Sequence, residues 1–180
     1  MVKLVGIGGS LRTDSHSMQA LHLAAQRARA LGATVDVIDL RKMDLPFCDA
    51  GDDYPDHPDV VTLREAVKQA DGLILATPEY HGSVSGVLKN ALDLMSFTEM
   101  GGKVAGLISV LGGQSNSNAL NELRLIMRWV HAWVIPEQIA IGQAWQAFES
   151  DGTLKDEKLA QRLDLFVASL VTATQKLTVT

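Results

Sequence analysis

The chain has little of several things that would place it in a specialised class of protein. Its 180 residues include a single cysteine, Cys48, so no disulfide can form within the chain and a reducing compartment, the cytoplasm, is expected. No signal-peptide pattern is present, and no apolar run is long enough to span a membrane. The net charge is −5 and no lysine–arginine cluster opposes it, which argues against nucleic acid or an acidic membrane surface as a partner.

What is present is the composition and pattern of one globular α/β domain over residues 1–180. Hydrophobic residues make up 47% of the chain and charged residues 21%, which excludes a disordered protein. Five predicted strands alternate with five predicted helices. The strands are 2–8, 34–39, 72–77, 104–110 and 138–141; the helices are 18–31, 60–70, 84–101, 120–134 and 159–177. This alternation predicts a doubly wound parallel sheet, in the flavodoxin-like order 2-1-3-4-5, with helices on both faces.

The stretch Gly8-Gly9-Ser10-Leu11-Arg12-Thr13-Asp14-Ser15-His16-Ser17 follows the first strand and has the composition of a phosphate-binding loop. Its glycines permit a tight turn, and its hydroxyls and the guanidinium of Arg12 are donors suited to phosphate. The helix that follows would direct free N–H groups into the same space. The same residues also suit an ordinary strand–helix turn with a serine cap. From this loop alone both interpretations stay open.

Two further loops have ligand-binding compositions, namely 77–83 and 109–118. In the predicted strand order, ligands bind at the carboxyl ends of the strands where the order reverses, between the first and third strands. That topology brings both loops beside the 8–17 loop. The long segment 40–59, rich in proline and aspartate, is predicted to be a loop of the kind that is functional or mobile.

Several well-known sites are excluded by single residues. Leu11 stands where a nicotinamide dinucleotide fingerprint needs its third glycine, and no P-loop sequence occurs. Val84 stands where a hydrolase nucleophile elbow needs serine. The five histidines lack the spacing of a zinc site. If the 8–17 loop binds a phosphate, that phosphate is therefore predicted to belong to some other ligand.

The motifs together resemble those of the NAD(P)H-dependent FMN reductase family. Gly9-Ser10-Leu11-Arg12, followed by Ser15 and Ser17, is similar to that family's phosphate loop. The run 77–83, Thr-Pro-Glu-Tyr-His-Gly-Ser, resembles its P-E-Y-N-G-S turn, and 88–93 matches the L-K-N-A-L-D signature that follows. The resemblance covers most of residues 3–120. Two departures occur at positions where relatives often have asparagine, which are Ser17 and His81.

The resemblance implies an enzyme with FMN as cofactor and NADPH or NADH as co-substrate. Hydride would pass to the flavin N5 and the electrons then to a quinone, azo, nitro, metal-oxyanion or flavin acceptor, with no catalytic residue required of the protein. The implied cofactor-binding residues fall into a phosphate set, a ring set and a second ring edge. They are Ser10, Arg12, Ser15 and Ser17; Pro78, Glu79, Tyr80, His81 and Gly82; and Ser109, Gly112 and Gly113.

Alternatives remain for the function and for single residues. A flavodoxin-like electron carrier or redox-sensing module would bind FMN without its own nicotinamide site, and a scaffold that has lost its flavin is a third option. Glu79 would instead form an ion pair or a helix cap, and Tyr80 would only pack.

Two predicted helices carry apolar residues on more than one face, which predicts a homodimer or homotetramer. The residues concerned are Leu94 and Phe97 on the third helix, and Leu125, Ile126, Trp129 and Trp133 on the fourth.

Overall fold

The computed structural model describes residues 1–178. It contains five strands and seven α-helices in these residues. The strands are β1 Lys3–Gly8, β2 Thr34–Asp39, β3 Gly72–Pro78, β4 Val104–Val110 and β5 Trp133–Ile141. The helices are α1 His16–Ala30, α2 Pro58–Lys68, α3 Gly86–Asp93, α4 Phe97–Met100, α5 Asn118–Trp129, α6 Ala144–Ala147 and α7 Glu157–Thr178.

The five strands form one parallel sheet in the order β2-β1-β3-β4-β5, which confirms the predicted flavodoxin-like fold. The register aligns the carboxyl ends of the inner strands. Gly8 pairs with Asp39 on one side and with Ala76 on the other, and Ala76 pairs with Ile108. The loops that follow β1, β3 and β4 therefore leave the sheet at the same edge.

Both faces of the sheet are covered by helices. Side chains alternate along β3, so Ile74 packs into the core with Leu21 of α1 and Phe166 of α7, whereas Leu75 packs into the core on the opposite face with Leu123 of α5. All seven residues of β4 are buried. Continuous burial of this kind explains why the central strands are unbroken apolar runs in the sequence.

The third predicted helix, 84–101, is wrong as a single helix because the chain breaks it into α3 and α4. Ser96 caps the second piece by accepting a hydrogen bond from the Thr98 amide, while the Glu99 carboxylate accepts one from the Ser96 amide. This reciprocal pair is a capping box, and its Ser-x-x-Glu spacing was a signal available in the sequence. Leu94, predicted as part of an outer apolar face, is instead buried within the chain.

The fourth predicted helix, 120–134, extends too far, since α5 ends at Trp129. His131 has a φ of +60°, and the Ala132 amide donates to the Met127 carbonyl at 2.9 Å, which is the Schellman ending of a helix. Trp133 therefore belongs to β5, so the prediction that it shares a helical face with Trp129 is wrong. Glycine or asparagine usually occupies the position of His131 in such an ending, so the histidine does not indicate the end of the helix in the sequence.

The fifth strand is longer than predicted, since it begins at Trp133. Its first half contains Pro136, and proline within a run of residues argues against a strand in the sequence. The register between β4 and β5 shifts at this point, so that β5 bulges around Pro136. Arg124 of α5 satisfies the carbonyls of the bulge, donating to Ile135 at 3.0 Å and to Pro136 at 2.9 Å. Proline is tolerated here because β5 is an edge strand and the bulge needs no ladder N–H.

The long loop predicted over 40–59 is confirmed for residues 43–57, between a 3-10 turn at Leu40–Lys42 and the start of α2 at Pro58. Asn90 of α3 holds its middle by donating to the Pro46 carbonyl at 2.9 Å and accepting from the Cys48 amide at 3.0 Å. Within residues 1–178, no helix is both long and apolar enough to cross a membrane.

Candidate active site

A cavity of about 240 Å³ lies at the carboxyl edge of the sheet, where the loops after β1, β3 and β4 meet. Eight of the twelve residues expected to bind a cofactor line it. These are Ser10, Arg12, Ser15, Ser17, Pro78, Glu79, Tyr80 and Gly112. The topology therefore brings together the segments that the sequence placed far apart.

One end of the cavity is lined by three buried serine hydroxyls and by the exposed guanidinium of Arg12. Ser15 caps α1 by accepting from the Met18 amide at 3.2 Å, and its Oγ lies 3.0 Å from the Oγ of Ser17. Ser10 is buried and its Oγ accepts from the Arg12 amide. The cap interpretation of this loop is thus confirmed for Ser15. The Ser10 hydroxyl keeps its hydrogen for a ligand, and the Ser15–Ser17 pair keeps one, since only one of those two hydroxyls donates to the other.

The Arg12 guanidinium has no ion-pair partner anywhere in residues 1–178. It is also the sole lysine or arginine among the described residues that line this cavity. A free guanidinium, hydroxyls and the first N–H groups of a 15-residue helix form a donor set that matches a phosphate monoester. The residues present therefore fit the phosphate of FMN.

Gly9 lets the 8–17 loop pass close to α3. A Cβ at this position would lie 2.7 Å from both the Leu88 Cβ and the Ser85 Oγ, so no larger residue fits. Ser85 uses the approach by donating to the Gly9 carbonyl at 2.6 Å. This contact ties the loop after β1 to the helix that follows the 78–83 turn.

Arg41, in the turn after β2, holds the 8–17 loop through hydrogen bonds to its backbone. Its Nη1 donates to the carbonyls of Arg12 and Thr13, each at 3.3 Å. Asp39 holds the guanidinium through contacts of 2.8 and 2.7 Å. Those hydrogen bonds lower the pKa of Asp39 below its ordinary value. No local sequence pattern indicates this contact, because Arg41 lies 29 positions after Arg12 in the chain.

The segment after β3 forms a two-residue hairpin turn. Tyr80 and Ser83 exchange backbone hydrogen bonds of 3.0 and 3.1 Å, with His81 at φ +54° and Gly82 at φ +80° between them. Two central residues with positive φ define a type I′ turn, for which Asn-Gly is the preferred pair. His81 and Gly82 sit at the tip of this turn and do not line the 240 Å³ cavity.

Two carboxylates fasten this turn to α5. Glu79 accepts from the Asn116 side chain at 2.8 Å and from the Ala119 amide at 3.3 Å, so its side chain caps the start of α5. The same residue also lines the cavity. Glu122 accepts from the Ser83 hydroxyl and from the Val84 amide. Glu79 thus performs the cap role considered from the sequence, and Glu122 was not predicted.

Two predicted residues of the second ring edge lie next to the cavity without lining it. Ser109 is fully buried in β4, and its Oγ has no hydrogen-bond partner in the described part of the chain. Gly113 lies one residue beyond Gly112, and its carbonyl accepts from the Gln143 amide at 2.7 Å.

Six lining residues were missed from the sequence. They are Asp14, His16, Val110, Leu111, Ala144 and Trp145. The first four adjoin predicted residues. Ala144 and Trp145 come from α6, a helix that the sequence did not predict. After α6 the chain turns back, so that Phe148 stacks on His16 with ring centres 5.5 Å apart. An isolated tryptophan between loops carries no positional signal in a single sequence.

Known proteins similar to this chain identify its family. Residues 2–146 match the model of the family described as NADPH-dependent FMN reductase. The NADPH-dependent FMN reductase ArsH of Shigella flexneri is 32% identical over 94% of this chain and 68% of its own. The FMN-dependent NADPH-azoreductase of Staphylococcus haemolyticus is 34% identical over 92% of this chain and 91% of its own. The chain thus spans about two thirds of the ArsH relatives and nearly all of the azoreductases.

Solved structures show the same fold. The flavoenzyme NAD(P)H:(acceptor) oxidoreductase FerB from Paracoccus denitrificans superposes with a TM-score of 0.80 at 24% identity, covering 98% of each chain. An archaeal flavodoxin superposes with a TM-score of 0.67 at 12% identity, covering 97% of this chain and 99% of its own. The chain belongs to the NADPH-dependent FMN reductase family, and it is an oxidoreductase that uses FMN with NAD(P)H as co-substrate.

Proposed function

We propose that the 240 Å³ cavity is where FMN binds, with its phosphate held by Ser10, Arg12, Ser15 and Ser17. The ring would lie along the Pro78–Gly82 segment, with Ser109, Gly112 and Gly113 at its other edge. The observation that carries this assignment is the free Arg12 guanidinium beside buried hydroxyls at the start of α1, at the edge where three loops meet.

When bound, FMN supplies the hydride chemistry, at its N5 atom. The protein's residues position the ring and stabilise charge on it. Among the described residues, the amides of His81 and Gly82 donate to no protein acceptor, so they are available to negative charge beside the turn. The Glu79 and Glu122 contacts to α5 fix the turn that presents these amides.

The proposed substrates are a reduced nicotinamide and then a small electron acceptor in the same place. Azo compounds, quinones, nitro compounds, metal oxyanions and free flavin are the acceptor classes. Relatives named as azoreductases support the first of these. Tyr80 is about half exposed at the cavity and Trp145 is largely exposed, so flat aromatic acceptors would meet two aromatic side chains there.

Anaerobic reduction tests this proposal directly. Purified protein loaded with FMN should lose its oxidised flavin absorbance on adding NADPH or NADH, and an azo dye or quinone should restore it. If FMN binds and neither nicotinamide reduces it, the electron-carrier alternative is correct. If FMN does not bind, the assignment of the cavity is wrong.

We also propose that the chain forms homodimers or homotetramers through an outer face of α4 and α5. Phe97, Leu125 and Trp129 are all more than half exposed there, beside an apolar groove of about 620 Å³. Leaving this much aromatic and aliphatic surface in water is unfavourable. Leu94 is buried within its own chain and takes no part in the face.

The organisation and compartment of the protein complete the proposal. Residues 1–180 would act as one domain, since all five strands belong to one sheet. A cytoplasmic location is proposed on the ground that Cys48 has no second cysteine in the chain with which to pair.

A further inference from the structure

A second cavity, of about 820 Å³, lies beside the proposed FMN cavity and plays no part in it. It is bounded by the loop after β4, by α6 and by the first turns of α7. Its lining is mixed. Charged, amide-bearing and apolar side chains all contribute to it.

A ridge of hydrogen-bonded backbone, formed by residues 111–113 and 143–144, lies between the two cavities. The Gln143 amide donates to the Gly113 carbonyl at 2.7 Å, and the Ala144 amide donates to the Leu111 carbonyl at 3.1 Å. Leu111 and Ala144 line the FMN cavity, whereas Gln143 lines the second cavity. Consecutive residues thus face different cavities, so one elongated molecule crossing the ridge would contact both.

Three cations line the second cavity, and none has a carboxylate partner within residues 1–178. They are Lys155, Lys158 and Arg162. Lys158 and Arg162 are four residues apart on α7, so they share one face of the helix. Lys155 is fixed beside α6, because its amide donates to the Ala147 carbonyl at 3.0 Å.

Positive charge gathers at the start of α7 and would stabilise an anion there. The first turn of a helix carries a partial positive charge, to which Lys158 adds its own, and Glu157 is the acidic residue of the same turn. Asp156 is the single carboxylate in the lining, and its Oδ1 already accepts from the amides of Lys158 and Leu159. The cavity therefore keeps a surplus of positive charge.

The rest of the lining suits a purine nucleoside. Gln146 donates to the Gln143 side chain at 2.8 Å, which leaves the amide nitrogen of Gln143 and the amide oxygen of Gln146 for a ligand. Leu159, Ala147 and Ala140 add apolar contact surface. Amide groups with apolar surface can bind a heterocyclic base, while the cations bind a phosphate monoester.

We propose that this second cavity binds the adenosine 2′-phosphate end of NADPH, with Lys155, Lys158 and Arg162 as the residues that distinguish NADPH from NADH. This inference rests on the proposed function, because the nicotinamide end must reach the neighbouring FMN cavity across the ridge. The ligand is the 2′-phosphate monoester of a bound nucleotide and not a free phosphate ion.

The test compares Lys158→Gln and Arg162→Gln with wild type and with Lys176→Gln, which removes the same charge from the far end of α7. Isothermal titration with 2′,5′-ADP and with 5′-ADP needs no turnover. Wild type should bind 2′,5′-ADP more tightly, and each of the two cavity variants should lose about tenfold of that affinity while Lys176→Gln retains it. In the FMN-loaded enzyme, KM for NADPH should rise by about the same factor and KM for NADH should not change.

Other outcomes overturn the inference. Equal affinity of wild type for the two nucleotides removes the 2′-phosphate site, as does an equal rise of both KM values in the variants. Competition by inorganic phosphate as strong as that by 2′,5′-ADP shows a bare anion site. Binding of 2′,5′-ADP by a protein whose FMN no nicotinamide reduces supports the nucleotide site and contradicts the proposed function, so the two claims fail separately.

Discussion

The side chain of Asn116 donates a hydrogen bond of 2.8 Å to the carboxylate of Glu79, joining the loop after β4 to the turn after β3. The two segments form neighbouring walls of one cavity, and this contact fixes their separation. The Glu79 carboxylate is therefore already hydrogen-bonded within the protein. In the family resemblance Glu79 belongs to the ring-binding set, and the structure attaches its carboxylate to α5.

Replacing Glu79 separates these two roles. Glu79→Ala should lower the free energy of unfolding by about 1 kcal/mol, the usual effect of losing a helix cap. Its FMN affinity should fall much less than that of Arg12→Ala, because the Glu79 carboxylate is already hydrogen-bonded to Asn116 and Ala119. Chemical denaturation and FMN titration of the same preparations measure both. An FMN affinity as low as in Arg12→Ala would mean that the carboxylate contacts the cofactor.

The Asp39–Arg41 pair predicts a specific dependence of stability on pH. Hydrogen bonds from Arg41 lower the pKa of Asp39 in the folded state below its ordinary value of 3.8. The stabilisation is therefore complete above that ordinary pKa and is lost as pH falls through the lowered one. Asp39→Asn should be less stable than wild type at neutral pH, and the difference should shrink below about pH 4.

Urea unfolding over a series of pH values measures that difference. Asp36→Asn, in the same strand, is the matched control because the Asp36 carboxylate has no ion pair among the described residues. A difference between Asp39→Asn and wild type that stays constant down to the acid limit would show that the pair contributes nothing through its charge.

His81 occupies a position that favours asparagine. Because its φ is +54° in a type I′ turn, His81→Asn should raise the free energy of unfolding by about 0.5 kcal/mol. Thermal unfolding detects such a change, and FMN affinity should stay the same. His131→Asn, at φ +60° far from the cavity, is the control for asparagine in this backbone region. A lower melting temperature for His81→Asn alone would show that the imidazole makes a stabilising contact of its own.

The sequence allowed the strand order and the three converging loops to be predicted, because buried parallel strands are unbroken apolar runs and their ends meet at one edge. It misled where an unusual residue took a structural position. His131 ends α5 in place of glycine, and Pro136 lies within β5 at a bulge. Both produced an error in the same region, the assignment of Trp133 to a helix.

Contacts between distant segments could not be predicted. Arg41 reaches the carbonyl of Arg12 across 29 positions, and Trp145 joins the cavity from a four-residue helix with no periodic signal. Such contacts depend on the three-dimensional path of loops, which a single sequence does not encode in its local pattern. The Ser96–Glu99 capping box, by contrast, was visible as a motif.

The exposed Trp129 predicts the oligomeric state. Trp129→Asp should convert the proposed dimer or tetramer to a monomer, since it places a charge in an apolar contact. Sedimentation velocity at micromolar concentration measures this. Leu165→Asp is the control, because Leu165 is equally exposed but lies on α7, on the other face of the sheet. A wild-type protein that is already monomeric would contradict the proposed interface.

The central claim is that the Arg12 loop holds the phosphate of FMN, and a comparison of FMN with riboflavin tests it most directly. The two ligands share a ring and differ by that phosphate. Titration of the flavin-free protein, followed by flavin fluorescence, should show FMN binding at least about tenfold more tightly than riboflavin in wild type. Arg12→Gln should lose most of that preference. Equal affinity for the two ligands in wild type, or a preference that survives in Arg12→Gln, would contradict the account.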